Sequence, residues 1–346
     1  MSAAGRTPMK FGLLLNTQFP PGESASARFR ALLEQVRAAR DHGFSSVWVS
    51  QHYLAMPFQM LQSLPTLARL AAEAGTMRVG TNIFLLTIHN PVYVAEQVAT
   101  MDVITEGRFI FGVGLGYRPE EFAAMGVEMK TRVSRFMEVL EVARRLLTED
   151  AVSHAGRHFT LDRAVLTLRP VQRPHPPIWV AASGDPAVER AARHGDAWLI
   201  NPHASLPTLE RQMALYRKAL AEVGKPFPGE APLLKEMLVA DSRRAALAEA
   251  RPYLEKKYQA YAEWGLDKPM PKEESLSVPF EDLAHDRFIV GSAEECVADI
   301  ERHHRRLGVN HLIVRVQWPG MPQAKALEQI ERLGRDIIAT LAGSGR

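Results

Sequence analysis

The strongest constraint on the fold is a regular alternation of short apolar runs with longer amphipathic stretches along all 346 residues. Eight runs have the length and composition of buried strands: 11–16, 46–50, 78–85, 108–114, 178–182, 197–201, 233–240 and 311–316. Because a helical stretch separates each strand from the next, the pattern predicts an α/β protein whose parallel sheet closes as a (β/α)8 TIM barrel. A doubly wound open sheet is the competing architecture.

Two intervals between strands are much longer than the others. After the fourth strand, a helix over 132–148 is followed by "SHAGRHFTLDRAVLTLRP", which predicts an inserted hairpin at about 150–172. Before the eighth strand, a stretch rich in proline and charge predicts an inserted mobile loop over one end of the barrel at about 263–290. Neither stretch resembles a flexible linker, so we expect one domain over 1–346.

The charge and cysteine content exclude several classes of protein. The 42 basic and 39 acidic residues are spread along the chain and give a formal net charge of +3, which indicates neither a nucleic-acid partner nor a membrane surface. No apolar segment has the length of a membrane span or the position of a signal peptide, so we expect a cytoplasmic protein. Cys296 is the only cysteine, and the histidines lack a carboxylate-rich setting, so we expect no disulfide and no metal site.

The stretch "GRFIFGVGLGY" at 107–117 looks at first like a dinucleotide fingerprint. That fingerprint needs G-x-G-x-x-G, whereas Gly112, Gly114 and Gly116 are each two apart and Tyr117 occupies the place of the third glycine. Alternate glycines leave one strand face without side chains, on which a flat ring or another backbone can approach closely. The other interpretation is a barrel strand whose small residues leave room for bulky neighbouring side chains.

A longer segment around these glycines, "MDVITEGRFIFGVGLGYRPEEFAAMGV" at 101–127, resembles the luciferase-like flavin-dependent oxidoreductases, the superfamily of bacterial luciferase. The resemblance rests on an Asp before a Thr-x-Gly-Arg turn and a glycine-rich fourth strand. It continues in order over other strands and helices, at 42–53, 78–91, 176–199 and 291–314. It therefore covers most of the chain and implies the same barrel fold.

The resemblance places His52, after the second strand, at the active-site histidine near the reactive edge of the flavin, where an imidazole can move a proton. Gln51 departs from the acidic residue often found beside this histidine. Tyr117 stands where the F420-dependent sugar-phosphate dehydrogenases carry a catalytic carboxylate. As a second candidate catalytic residue, Tyr117 either donates a hydrogen bond to flavin or substrate or forms an aromatic lid.

The same resemblance implies two contacts with the cofactor. A non-prolyl cis peptide between Asn82 and Ile83 supports one face of the isoalloxazine ring. Ser183 and Gly184 lie where a strand ends and a helix begins, an arrangement that favours phosphate binding. The full predicted cofactor site is Thr81, Asn82, Ile83, Gly114, Gly116, Ala182, Ser183 and Gly184. Polar or aromatic residues beside the strand ends form the predicted substrate pocket: Asn16, Gln51, Asn201, Gln317 and Trp318.

The activity implied is that of a two-component monooxygenase, which receives reduced FMN from a separate flavin reductase and uses O2 to oxidise a small organic substrate. One alternative is an F420-dependent hydride-transfer oxidoreductase on the same fold. A second is a flavin-binding homologue without catalysis. The resemblance also implies a homodimer formed through the second and third helices.

Overall fold

Eight parallel strands form a closed cylinder in the computed structural model, which describes residues 9–343. They are β1 (Lys10–Leu15), β2 (Ser46–Val49), β3 (Arg78–Thr81), β4 (Phe109–Gly114), β5 (Ile178–Ala182), β6 (Ala197–Ile200), β7 (Pro232–Val239) and β8 (His311–Arg315). Each strand pairs with the next along the chain, and β8 also pairs with β1. The structure confirms the predicted (β/α)8 barrel and excludes the open sheet, because a closed cylinder has no edge strand.

Helices pack around the outside of this cylinder. They are α1 (Ala25–Asp41), α2 (Ser63–Ala71), α3 (Pro91–Ile104), α4 (Arg132–Thr148), α5 (Asp185–His194), α6 (Leu206–Glu222), α7 (Ala293–Leu307) and α8 (Gln323–Arg332). After α8 the chain continues through a π-helical turn, Leu333–Ile338, into a last helix, Ala339–Gly343. Within the described residues, none of the helices combines the length and the apolar composition that crossing a membrane requires.

Further elements lie on the connections between strands and helices. β4 is followed by a short helix, Pro119–Ala124, and a 3-10 turn, Met129–Thr131, and α4 by a hairpin of strands Val152–Ala155 and Thr160–Ala164. Small strands at Gln18–Phe19 and Gln59–Met60 pair with each other, and Phe84–Leu85, followed by the 3-10 turn Leu86–Ile88, pairs with β4. The connection from β7 to α7 contains a long helix, Arg243–Glu263, a short helix, Phe280–Ala284, and a strand, Ile289–Gly291.

The third strand ends earlier than the sequence predicts. The apolar run at 78–85 indicates one strand, but β3 stops at Thr81 and pairing resumes only at Phe84. The two residues between these points, Asn82 and Ile83, are joined by a cis peptide bond. The long helix Arg243–Glu263, which we call the cover helix, was not predicted either.

Aromatic rings fill the inside of the barrel away from its functional end. Trp48 on β2 stacks on Trp179 on β5, with ring centroids 5.1 Å apart and planes at 23°. A Cβ atom at Gly80, on the neighbouring β3, would overlap the Trp48 ring. Glycine on β3 therefore makes room for the tryptophan, and the two indoles close the interior to solvent.

The glycines of β4 receive groups from β3 and from the turn that follows it. A Cβ atom at Gly112 would collide with the Thr81 carbonyl oxygen, and one at Gly114 would lie 2.8 Å from Ile83 Cδ1. The Thr81 hydroxyl also donates a 2.7 Å hydrogen bond to the Gly112 carbonyl. The geometry thus shows a backbone carbonyl close to Gly112 and a bulky neighbouring side chain close to Gly114.

We predict that Gly112→Ala destabilises the fold, because a backbone carbonyl on a paired strand cannot move away as a flexible side chain can. The expected loss in the free energy of unfolding is about 1–3 kcal/mol, measured by urea denaturation. Gly229→Ala is the matched control, because a Cβ atom there would meet nothing within 4 Å. Equal stability of the two variants would contradict this account of β4.

Candidate active site

His52 follows β2 at the end of the barrel where the strands terminate, which we call the barrel mouth. Its Nδ1 lies 2.9 Å from Oε1 of Glu121, a fully buried residue on the short helix after β4. The same oxygen accepts a 2.9 Å hydrogen bond from the Tyr53 N–H. A carboxylate only accepts hydrogen bonds, so it favours the tautomer with hydrogen on Nδ1 and leaves Nε2 as the proton acceptor of the neutral ring.

Arg118 fixes the backbone that carries His52. Its guanidinium donates to the carbonyl oxygens of Tyr53 at 2.8 Å and Leu54 at 3.1 Å. It also lies 4.3 Å from the ring centroid of Trp264, which follows the cover helix. The loop after β2 is therefore held from two sides, and Leu54 within it adopts a left-handed φ of 47°.

Tyr117 packs directly on the candidate catalytic histidine. The two rings are nearly perpendicular, at 83°, with centroids 5.8 Å apart. The Tyr117 hydroxyl is buried and has no hydrogen-bond partner among the described residues. Burial, together with the neighbouring Tyr261, raises the pKa of Tyr117 well above its usual value of 10. The phenol therefore stays protonated and can donate a hydrogen bond to a bound molecule.

Gln51 connects β2 to the turn after β3. Its Oε1 accepts a 2.8 Å hydrogen bond from the Leu85 N–H, and its Nε2 donates to the Tyr53 hydroxyl at 3.1 Å. That hydroxyl lies 3.3 Å from Nε2 of His89, whose pKa is lowered to about 4 by burial and by Arg135. Both polar ends of Gln51 are engaged within the protein, so the geometry gives it a supporting position rather than a free group toward substrate.

The predicted cofactor residues of β3 and β4 come together at the barrel mouth. The peptide between Asn82 and Ile83 has the cis geometry that the resemblance implies. Asn82 Nδ2 is buried and has no acceptor among the described residues. The Ile83 side chain packs on Gly114, which has no side chain of its own. Gly116 has a φ of 80° and packs against Phe122. Any contact between Gly114 and a flavin ring on this side would be made through Ile83.

The predicted phosphate site lies at the start of α5. Gly184 is the N-cap residue of the helix and follows Ala182 at the end of β5. The Ser183 hydroxyl accepts a 2.8 Å hydrogen bond from Asn201 Nδ2. Asp185 is drawn to Arg211 at 2.6 Å, and that hydrogen bond is the largest cause of the lowered pKa of Asp185. An anion at the helix start would meet N–H groups and a carboxylate already neutralised by arginine.

The segment at 264–279, which we call the covering segment, lies over this helix start. A Cβ atom at Gly184 would be 2.5 Å from the Pro269 carbonyl oxygen, so glycine allows the segment to come this close. Glu273 pairs with Arg211 at 2.9 Å, and Glu274 accepts a 2.6 Å hydrogen bond from the Ser205 hydroxyl. The stretch predicted as a loop is thus attached by specific polar contacts to α6 and to Ser205, which is the N-cap residue of that helix.

The predicted substrate-pocket residues do not form one group. Asn16 and Asn201 lie at the ends of β1 and β6, where their amides donate to the carbonyls of Gln18 and Ala182. Gln317 instead accepts a 2.9 Å hydrogen bond from Gln35 on α1, and its Nε2 donates to the Met321 carbonyl at 3.1 Å. Trp318 is completely buried, and its indole N–H donates to Glu236 at 2.6 Å.

Glu236 belongs to a buried group of charges that sequence reasoning missed. It lies on β7 opposite Arg315 on β8 and forms an ion pair with Lys257 of the cover helix. Burial alone raises the pKa of the Glu236 carboxyl, but Lys257 and Arg315 bring it down to about 2. Glu236 is therefore ionised at neutral pH.

Sequence patterns contain a weak signal for these residues. Glu236 and Arg315 interrupt apolar strands two residues after Leu234 and Ile313, which face the barrel interior. Side chains alternate across a strand, so both charges also face the interior, near its mouth. The position of Lys257 gives no such signal, because the cover helix is not part of the repeating pattern. The role of Glu121 could not be predicted from the sequence, because it becomes visible only when the fold places His52 beside it.

Known proteins with similar sequences belong to one family of barrel enzymes. The family model described as luciferase-like monooxygenase matches residues 9–311. An F420-dependent glucose-6-phosphate dehydrogenase of Segniliparus rotundus is 30% identical, with 94% of this chain and 96% of that protein covered. The 4-hydroxyprotoasukamycin monooxygenase of Streptomyces nodosus subsp. asukaensis is 28% identical, covering 84% and 80% of the two chains.

A solved structure shows the same fold. Monooxygenase RslO1 from Streptomyces bottropensis superposes with a TM-score of 0.84 and 24% identity, covering 96% of this chain and 99% of that one. The family match extends over most of the barrel, and it agrees with the resemblance found in the sequence. The chain therefore belongs to the luciferase-like monooxygenase family of oxidoreductases.

Proposed function

We propose that this protein is a two-component monooxygenase that uses reduced FMN and O2 to oxidise a small organic substrate. The observation that carries the proposal is Tyr117, a protonated phenol beside His52. It occupies the place where the F420-dependent sugar-phosphate dehydrogenases are expected to carry a catalytic carboxylate. Glu121 lies further along the chain, and the bonds of its Oε1 to His52 and Tyr53 give it a positioning role, while its Oε2 is buried and has no donor among the described residues.

The residues at the barrel mouth fit a flavin. Two buried donors, Asn82 Nδ2 and the Tyr117 hydroxyl, have no acceptor among the described residues, and the isoalloxazine ring offers carbonyl oxygens and ring nitrogens as acceptors. Ser183 and Gly184 suit the phosphate, because a helix start attracts anions. We infer that Thr81 and Ala182 complete the site through the backbone positions they hold.

When bound, reduced FMN supplies the electrons that activate O2. The chain itself contributes orientation, exclusion of water and a proton route. His52, held by Glu121 with Nδ1 protonated, accepts or returns a proton through Nε2. Tyr117 donates a hydrogen bond without losing its own proton. Trp264, packed on His52 at 5.4 Å between ring centroids, shields the site from solvent.

The second candidate is F420-dependent hydride transfer. The glucose-6-phosphate dehydrogenase relative at 30% identity favours it, because the match covers nearly the whole of both chains. The same helix start and the same His52 would serve this reaction. A flavin-binding homologue without catalysis is a third candidate, and the intact pair of His52 and Glu121 speaks against it.

The proposal includes two protein partners. A separate flavin reductase would supply reduced FMN, since the glycine-rich strand is not a nicotinamide-nucleotide fingerprint. A second copy of this chain would pack through α2 and α3. Exposed apolar side chains on α3 support that surface: Val92, Tyr93, Val103 and Ile104.

Anaerobic titration with reduced FMN, and separately with reduced F420, tests the choice of cofactor. We expect saturable binding of reduced FMN and at least tenfold weaker binding of F420, followed by flavin reoxidation when O2 is admitted. Ser183→Ala should weaken binding of FMN but not of riboflavin, which lacks the phosphate. Tighter binding of F420 would favour hydride transfer, and binding of neither would refute both enzymatic proposals.

Glu121→Gln tests the proton route without a substrate. A glutamine amide can donate as well as accept, so the variant should lose the preference of His52 for hydrogen on Nδ1. The measurement is 15N NMR of the histidine rings, with His52 assigned from the spectrum of His52→Gln. The matched control is Glu120→Gln, an exposed neighbour on the same helix. An unchanged His52 tautomer in Glu121→Gln would contradict the positioning role of this carboxylate.

A further inference from the structure

Arg315 is a buried cation without a full set of partners. Arg315 is only 9% exposed, and its side chain faces the barrel interior from the end of β8. Its closest carboxylate oxygen, on Glu236, is 3.8 Å away, and its Nε has no acceptor among the described residues. A guanidinium offers five N–H donors, so a buried one normally binds a carboxylate or several carbonyls at closer range.

Glu236 cannot satisfy Arg315 because other donors occupy it. One oxygen bonds to the ammonium of Lys257 and, at 3.4 Å, to the Tyr258 hydroxyl; the other bonds to Trp318. Two buried cations thus share one carboxylate. The adjacent His203 adds no charge at neutral pH, because burial and Lys257 lower its pKa to about 3. Burial and Arg315 lower the pKa of Lys257 to about 7, so at neutral pH its ammonium carries only part of a charge. Together with Arg315 it still exceeds the single negative charge of Glu236, and buried sites normally balance such an excess with an anion.

Neutral groups around Arg315 are also arranged as donors. The Tyr261 hydroxyl accepts a hydrogen bond from the Arg315 guanidinium and donates one to Gln18 Oε1 at 3.0 Å. This leaves Gln18 Nε2, a buried amide, without an acceptor among the described residues. Two unsatisfied N–H donors from Arg315 and Gln18 therefore flank one phenol. A carboxylate, with two oxygens in one plane, suits such a set of donors.

An aromatic surface leads from this cation to the candidate catalytic histidine. Tyr261 stacks on Trp264 with centroids 5.3 Å apart and planes at 21°. Trp264 in turn contacts His52 edge-on at 5.4 Å, and Tyr117 contacts the same imidazole at 5.8 Å. A molecule held at Arg315 would lie along these rings with its far end toward His52.

We propose that the substrate is an organic carboxylate with an apolar or aromatic body, whose carboxylate binds Arg315 and Gln18 and whose body packs on Tyr261 and Trp264. This inference rests on the proposed function, since it treats the barrel mouth as the place of reaction. Access requires the cover helix to move, because Lys257, Tyr258 and Tyr261 all belong to it.

The experiment compares benzoate with benzamide, which has nearly the same shape and no charge. Calorimetric titrations of the full chain are carried out without cofactor and, anaerobically, with saturating reduced FMN. In at least one of these two states we expect benzoate to bind tenfold or more tightly than benzamide. Arg315→Met should reduce benzoate affinity at least tenfold and leave benzamide affinity unchanged. Absence of benzoate binding in both states, or equal binding of the two probes, would overturn the proposal.

Two further variants separate recognition from damage to the fold. Arg144→Met removes a guanidinium at the opposite end of the barrel, where it donates to the His194 carbonyl, and should leave benzoate binding unchanged. Arg315→Lys keeps the buried charge but loses the planar donor pair, and should weaken benzoate binding threefold to tenfold. Full benzoate affinity in Arg315→Lys and Arg315→Met would refute the site. Failure of reduced FMN to bind would refute the proposed function alone, since benzoate is also tested without cofactor.

Discussion

The steric fit between glycines and large aromatic rings determines which end of the barrel interior is filled by side chains. Trp48 and Trp179 stack across the interior, and they can do so because Gly80 has no side chain. With that part of the cylinder filled, the predicted cofactor residues lie at the end where the strands terminate, and a separate buried polar group of Ser46, His311 and Glu230 lies at the opposite end. The bare face of β4 then lets the chain after β3 bend inward, which brings Asn82 and Ile83 to the same end.

Two buried carboxylates organise the barrel mouth in different ways. Glu121 joins the loop after β2 to the segment after β4 and sets the orientation of His52. Glu236 joins β7 to the cover helix through Lys257, and its nearest oxygen stays 3.8 Å from the Arg315 guanidinium. In the proposed function the first carboxylate would serve proton transfer, and the second would leave Arg315 available to bind an anion. Between them lie the aromatic rings of Tyr117, Trp264 and Tyr261.

Sequence periodicity was sufficient for the barrel, because each strand and each helix carries its own local pattern. The start of α3 illustrates this, since Asn90 accepts a hydrogen bond from the Val92 N–H and Pro91 occupies the first turn. The site was only partly accessible by the same reasoning. His52 and Ser183 follow recognisable strand ends, whereas the pairing of His52 with Glu121 joins residues 69 positions apart. Gln317 shows that a polar residue after a strand can also serve packing, because it accepts a hydrogen bond from Gln35 on α1.

The central claim is that reduced flavin binds at this mouth, between the ends of β2, β3, β4 and β5. Hydrogen–deuterium exchange of the full chain, with and without reduced FMN under anaerobic conditions, tests it most directly. The account predicts slower exchange in the peptides that span 51–54, 82–85, 115–118 and 183–188, and unchanged exchange in the hairpin at 152–164. Protection confined to other parts of the barrel, or none at saturating FMN, would contradict it.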